Sequence, residues 1–150
     1  MAATYGLGES DAVLGAPLRI VLPSDATRVR IRYRTIPSAS ALQWLSPLQT
    51  AGKKHPFMFT QSQAIHARSW IPLQDSPGVR VTYGARIRTP EGLRAVMSAA
   101  NDPYESVDGD YRFDMQQPIP SYLIALAVGD LALEPLSNRA GVFAEPSLIQ

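Results

Sequence analysis

The sequence predicts an all-β fold, a sheet or sandwich, and three observations carry that prediction. Apolar and polar residues alternate with period two over residues 28–35, 79–88 and 111–116, the pattern of strands with one covered face. The runs between turn signals are short, and clusters of Pro, Gly, Ser and Asp separate them at regular spacing. With 45% hydrophobic and 18% charged residues the chain reads as globular rather than disordered. Its 150 residues suit a single β domain with its own core, read here as 1–150.

Taken in order, residues 1–17 are small, polar and Gly-containing, and cover a strand end and a turn. Residues 18–22 (LRIVL) read as a short buried strand, and Pro23-Ser24-Asp25 as the turn after it. Residues 28–35 set Val29, Ile31 and Tyr33 against Arg28, Arg30, Arg32 and Arg34, a half-buried strand with a basic outer face. Residues 37–40 are a loop. Trp44, in the apolar run 41–45, is expected in the core. Residues 46–54 are polar, and the aromatic-rich run 56–60 follows. Residues 79–88 turn Val79, Val81, Tyr83, Ala85 and Ile87 one way and Arg80, Thr82, Gly84, Arg86 and Arg88 the other. Thr89-Pro90-Glu91-Gly92 is a turn.

Residues 93–100 have helical propensity but lie among strands, and a strand is favoured there. Residues 101–110 are acidic and turn-rich. The strand at 111–116 is expected to stop at Pro118-Ile119-Pro120. Residues 121–133, the most hydrophobic run, read as one buried strand bent at Gly129. Residues 137–141 form a turn, and 142–144 a last short strand.

Composition narrows the function classes. A net charge of +1 gives no ground for nucleic acid or an acidic membrane as partner. The four arginines of 28–34 could form a phosphate-binding stripe, but with so small a net charge they read as a solvated sheet face. No cysteine is present, so disulfides and thiolate metal sites are excluded and the redox compartment stays open. No run approaches the roughly 18 apolar residues of a membrane helix, and no signal peptide is visible at the N-terminus.

The most informative stretch is residues 59–77, FTQSQAIHARSWIPLQDSP. It opens on Gln61 and Gln63 and closes on Pro72 and Pro77, which bracket Asp75. Proline fixes its own φ and restricts the residue before it, so this is a stiff loop carrying polar groups. His66 and His55 do not begin an H-E-x-x-H motif, and no carboxylate cluster accompanies them, so no metal ligand is assigned. No G-x-S-x-G elbow occurs, and a Ser62, His66, Asp75 set has no spacing that demands a triad.

The two amides are more suggestive. A peptide's free amino end is an ammonium with donors only, and needs side-chain oxygens around it. On an extended segment Gln61 and Gln63 would point to the same side and reach one group. The commoner use of such amides is to bond the loop's own backbone.

This stretch resembles the leukotriene A4 hydrolase-like branch of the zinc aminopeptidases, the aminopeptidase N superfamily. The resemblance is carried by 41–50 (ALQWLSPLQT), 52–56, 61–77 and 118–131 (PIPSYLIALAVGDL), with weaker similarity over almost the whole chain. It implies the saddle-like, all-β N-terminal domain of these enzymes without its first strands, with the catalytic zinc domain following in the same chain. It implies that Gln61, Ser62, Gln63 and Ala64 line the peptide-binding segment, with Gln63 on the substrate's amino group, where other members of the superfamily use a glutamate. Serine stands at 62 where vertebrate members commonly have cysteine; backbone contacts are expected there. Arg68 and Asp75 match positions shared across the superfamily, and with Pro72, Pro77 and the packing anchor Trp70 they are expected to hold the loop's shape.

The function implied is that of a fragment of a zinc metallo-aminopeptidase, removing N-terminal residues from peptides. The zinc belongs to the parent enzyme and none is bound here, because neither H-E-x-x-H nor G-x-M-E-N is present. The partners implied are a peptide substrate and the catalytic domain of the same chain, and the isolated fragment is expected to be inactive. The alternative is a non-catalytic β-sandwich module that docks a protein partner. A downstream H-E-x-x-H motif would discriminate the two.

Overall fold

The structure, a computed structural model, describes residues 3–104 and 108–149. Ten strands form it: β1 (Thr4–Leu7), β2 (Leu18–Val21), β3 (Leu42–Leu45), β4 (Phe57–Thr60), β5 (Arg80–Arg88), β6 (Arg94–Met97), β7 (Asp110–Pro120), β8 (Leu126–Gly129), β9 (Ala132–Pro135) and β10 (Gly141–Ala144). Among the described residues the only helical pieces are single 3-10 turns, at Pro47–Gln49, Ala67–Ser69, Ser121–Leu123 and Pro146–Leu148. The fold is all-β, as the sequence predicts.

The strands pair antiparallel in four sheets: β1-β2, β5-β7, β9-β10 and the four-stranded β3-β4-β8-β6. The core lies between the long β5-β7 ribbon and the β6-β8 side of the four-stranded sheet. Ala95, Tyr111 and Phe113 are buried there, with Ala85, Ile87, Met97, Leu126 and Val128 packed around them. The strict alternation of β5 has a direct cause: its odd-numbered residues from Val81 to Ile87 are half-buried, Ala85 and Ile87 against this core, and its even-numbered ones face outward. Tyr111 meets its polar requirement inside by donating its hydroxyl to the Leu93 carbonyl at 3.1 Å. β4 matters most for the site, because it is held on both sides, by β3 and β8, and runs directly into Gln61.

The strands expected at 79–88, 93–100, 111–116 and 142–144 are β5, β6, β7 and β10, and the aromatic-rich run at 56–60 forms β4. Five other expectations need correction. Residues 28–35 belong to no sheet, and both alternating sets are exposed, with Val29 at 45% and Tyr33 at 56%. A strand exists through its ladder, and the described residues offer this segment none. Residues 18–22 form β2, but β2 pairs only with β1 and is exposed except at half-buried Ile20. Trp44 is not core but 56% exposed: it lies opposite the covered Met58, on the outer strand of its sheet.

β7 runs through Pro118 and Pro120 rather than stopping before them. Pro120 pairs with Arg80 at the end of the ladder, and Pro118 falls in the register shift opposite Val81–Tyr83, an irregularity that asks no ladder bond of it. The single strand expected at 121–133 is a 3-10 turn followed by β8 and the start of β9. Gly129 is the last residue of β8, and the Phe57 ring fills its side-chain position: a Cβ there would stand 2.4 Å from Phe57 Cδ2. The turn-rich expectation for 101–110 lies partly outside the described residues, at 105–107.

Candidate functional site

The loop from Gln61 to Pro77 hangs between β4 and β5, and four sets of bonds brace it. The first pins its entry: Gln61 N–H donates to the Ala41 carbonyl at 2.8 Å, at the start of β3. The second forms a turn, in which the Ser62 carbonyl accepts the His66 N–H at 2.9 Å and the 3-10 turn Ala67–Ser69 follows. Ala67 is fully buried beneath it. The third ties this turn to residues 40–41. Ser40 Oγ and His66 Nδ1 are 2.8 Å apart, and Ser69 Oγ accepts the Ala41 N–H at 3.0 Å while donating to the His66 carbonyl at 2.8 Å.

The fourth set centres on Asp75, which is 6% exposed. Its Oδ2 accepts the Arg68 main-chain N–H at 2.9 Å and Nε at 3.3 Å, and its Oδ1 accepts the Ser121 hydroxyl at 2.5 Å. Arg68 Nη2 reaches the Asp75 carbonyl at 2.5 Å and Nη1 the Leu14 carbonyl at 3.1 Å. Burying a carboxylate requires this kind of saturation by donors. Pro72 lines a cleft of about 850 Å³ between the β1-β2 hairpin and the loop, with Leu14, Ile20, Ile31, Leu73 and the Arg68–Asp75 pair. Pro77 opens the turn that leads into β5, where Val79 N–H meets the Ser76 carbonyl at 2.9 Å.

The expected peptide-binding residues divide into two kinds. Gln61, Gln63 and Ala64 are exposed, whereas Ser62 is buried at 3%. The segment is not extended, because the chain turns at 63–66. The two carboxamides therefore do not line up by strand alternation, which corrects that expectation. The Gln63-Ala64 peptide bond is cis. Gln61 Oε1 accepts the Gln63 N–H at 3.1 Å, so one of its two ends serves the backbone. Among the described residues nothing bonds the Gln63 carboxamide. Ser62 Oγ turns inward and accepts the Trp70 indole N–H at 3.2 Å.

Ser62, His66 and Asp75 each bond a different partner, so the structure does not assemble them as a triad. Among the described residues no group of three or more His, Asp or Glu stands close enough to hold a metal ion, so the described residues do not fit a zinc site. Sequence reasoning missed Ser40, Ser69 and Ser121. Ser40 and Ser121 lie 26 and 46 positions from the partners they hold, and no local signal marks them.

Fold and site together define an open all-β domain that holds a stiffened polar loop at the end of a four-stranded sheet. The chain belongs to the peptidase M1 N-terminal domain family, whose model matches residues 15–123. It is 45% identical to leukotriene A-4 hydrolase of Xenopus laevis over 99% of this chain and 26% of that protein. It is 43% identical to leucine aminopeptidase 2 of Yarrowia lipolytica, over 96% of this chain and 22% of that one. Against aminopeptidase B of Rattus norvegicus it is 43% identical, over 91% and 21%. Native leukotriene A4 hydrolase from Saccharomyces cerevisiae superposes with a TM-score of 0.85 at 35% identity, over 99% of this chain and 23% of that chain. Yeast LTA4 hydrolase in complex with bestatin gives 0.83 at 37%, over 98% and 23%. The chain thus spans about a quarter of the length of the relatives it matches.

Proposed function

We propose that residues 1–150 form one β domain of a zinc metallo-aminopeptidase that hydrolyses N-terminal residues from peptides. The domain's share is to bind the free amino end of the peptide substrate; the zinc and its ligands belong to a catalytic domain elsewhere in the same chain. Family membership and relatives named as aminopeptidases and leukotriene A4 hydrolases support the parent activity. The observation that carries the domain's role is the state of Gln63: exposed, its carboxamide unbonded among the described residues, and mounted on a turn tied to Ala41 and Ser40. A carboxamide oxygen there accepts an N–H from an ammonium, and a fixed turn spares the substrate the entropy of ordering it. Gln61, with its Oε1 committed to the turn, and the backbone of Ser62 and Ala64 complete the segment.

The test is Gln63→Ala in the full-length protein. Loss of one hydrogen bond to a charged group is expected to lower kcat/KM for peptides about 10- to 100-fold with little change in Tm. Gln63→Glu, which keeps an acceptor oxygen, retains activity. Unchanged peptide kinetics beside a large drop in Tm would show that Gln63 serves the fold. A full-length protein without an H-E-x-x-H motif would favour the non-catalytic docking module instead. The isolated chain is expected to show no peptide hydrolysis with or without added zinc.

A further inference from the structure

We propose that Trp70 is a positioning residue for amino-end recognition, acting through the hydroxyl of Ser62; this rests on the assignment of Gln63 to the substrate's amino group. The indole N–H is a donor only, and the Ser62 oxygen it reaches at 3.2 Å is buried. Ser62 lies between two exposed glutamines, and its carbonyl is bonded as well, to the His66 N–H. Both ends of Ser62 are therefore fixed, and any rotation about this residue would swing Gln63 away from its direction.

Trp70 is itself held from both sides of its backbone. Its N–H donates to the Ala67 carbonyl at 3.1 Å, and its carbonyl accepts the Thr35 hydroxyl at 3.4 Å. The line from Trp70 through Ser62 to Gln63 thus fixes the point and direction at which the Gln63 side chain leaves the turn, while its carboxamide stays free to meet a ligand. A mere packing role for the indole would need its ring; this role needs the N–H. Trp70→Phe separates the two.

The experiment uses the full-length protein and two competitive inhibitors, leucine hydroxamate and its des-amino counterpart, 4-methylpentanehydroxamate. Trp70→Phe and Ser62→Ala are each expected to weaken leucine hydroxamate about 5- to 10-fold, the scale of one hydrogen bond's worth of misplacement, and to leave the des-amino compound within about twofold. The double variant is expected to match the single ones, because both remove the same link. KM for a free-amino substrate rises while kcat changes little. Equal weakening of both inhibitors, or of neither, overturns the inference, as does full additivity in the double variant. Should Trp70→Phe not fold, Ser62→Ala carries the same comparison, with the same outcomes supporting or overturning it. Gln63→Ala is the reference. If it leaves the preference for the amino-bearing inhibitor intact, the amino-end assignment itself fails and takes the inference with it. If Gln63→Ala abolishes that preference and Trp70→Phe and Ser62→Ala do not touch it, only the inference fails.

Discussion

Asp75 and Arg68 meet through one oxygen: Asp75 Oδ2 takes both the main-chain N–H and the Nε of Arg68, while Arg68 Nη2 returns to the Asp75 carbonyl. The pair closes the loop on itself across seven positions, and Ser121 fastens it to the end of β7. The two residues are not equivalent in consequence. Asp75→Ala strips the acceptor from two Arg68 donors and the Ser121 hydroxyl. It is expected to cost about 2–4 kcal/mol, because three donors lose a charged acceptor at once while Arg68, partly exposed, keeps access to water. Arg68→Ala leaves Asp75 its backbone donor and Ser121, and is expected to cost less, about 1–3 kcal/mol. The double variant in denaturant unfolding of the full-length protein should show coupling of about 0.5–3 kcal/mol; simple additivity would mean that the pair does not hold the loop.

Tyr83 provides an alkaline prediction. Burial pushes its phenol above the usual tyrosine range, and the hydrogen bond with Ser98 pulls the other way without cancelling the shift. The neutral phenol is the form the fold prefers. Its contribution is therefore fully present below the unfolded value of about 10 and is lost as pH rises through the folded one. Tyr83→Phe should flatten the fall of Tm above about pH 10, measured as the difference from the parent because Tyr33 is shifted the same way. Near neutral pH the variant loses the contacts to the Ser98 carbonyl and hydroxyl, at 3.0 and 3.1 Å, and should cost about 0.5–1.5 kcal/mol.

Asp110 makes the opposite case, on the surface. Its hydrogen bond from Arg86 holds the carboxyl below the usual range; desolvation opposes it, and the charges of Arg86, Arg88 and Arg112 add to the lowering. A lowered carboxylate contributes stability above its unfolded value, lost as pH falls through the folded one. Arg86→Gln should move the Asp110 carboxyl resonance, followed by NMR titration, back towards an ordinary aspartate. Tm near neutral pH should barely respond, because both partners are solvated and salt screens them.

Gly129 tests how β4 is held. With Phe57 Cδ2 only 2.4 Å from where a Cβ would stand, Gly129→Ala forces the ring to move at the start of the strand that delivers Gln61. Overpacking of this kind is expected to cost about 1–3 kcal/mol, read from chemical denaturation. Gly52→Ala has open space at the corresponding position and is the control, with little expected change.

Legibility in the sequence followed whether the deciding contacts were local. Residues 79–88 alternate and form β5, because a long two-stranded ribbon over a core imposes period two on its own inner face. Residues 28–35 alternate as cleanly, yet join no sheet among the described residues, because alternation states a preference and a ladder needs a neighbour. Residues 121–133 misled in another way. Their hydrophobicity marked burial correctly at Ile124 and in part of β8, and Gly129 marked the bend, but neither showed the 3-10 turn at Ser121–Leu123 or the Phe57 ring that fills the space beside Gly129. At the site, the resemblance pointed to the segment from Gln61 to Ala64, and its turned shape and the inward Ser62 hydroxyl lay beyond it.

Local pattern along the chain sufficed for the all-β class, for β5, β6, β7 and β10 and for the family, because periodicity, turn residues and motif identity are properties of neighbours in sequence. Packing between remote segments settled that Trp44 is exposed, that Ser62 faces Trp70 while Gln63 faces solvent, and that Ser40, Ser69 and Ser121 are the braces of the loop. A hydroxyl can serve any donor or acceptor the fold brings within about 3 Å, so its partner is written in the packing of remote segments and not in its own surroundings.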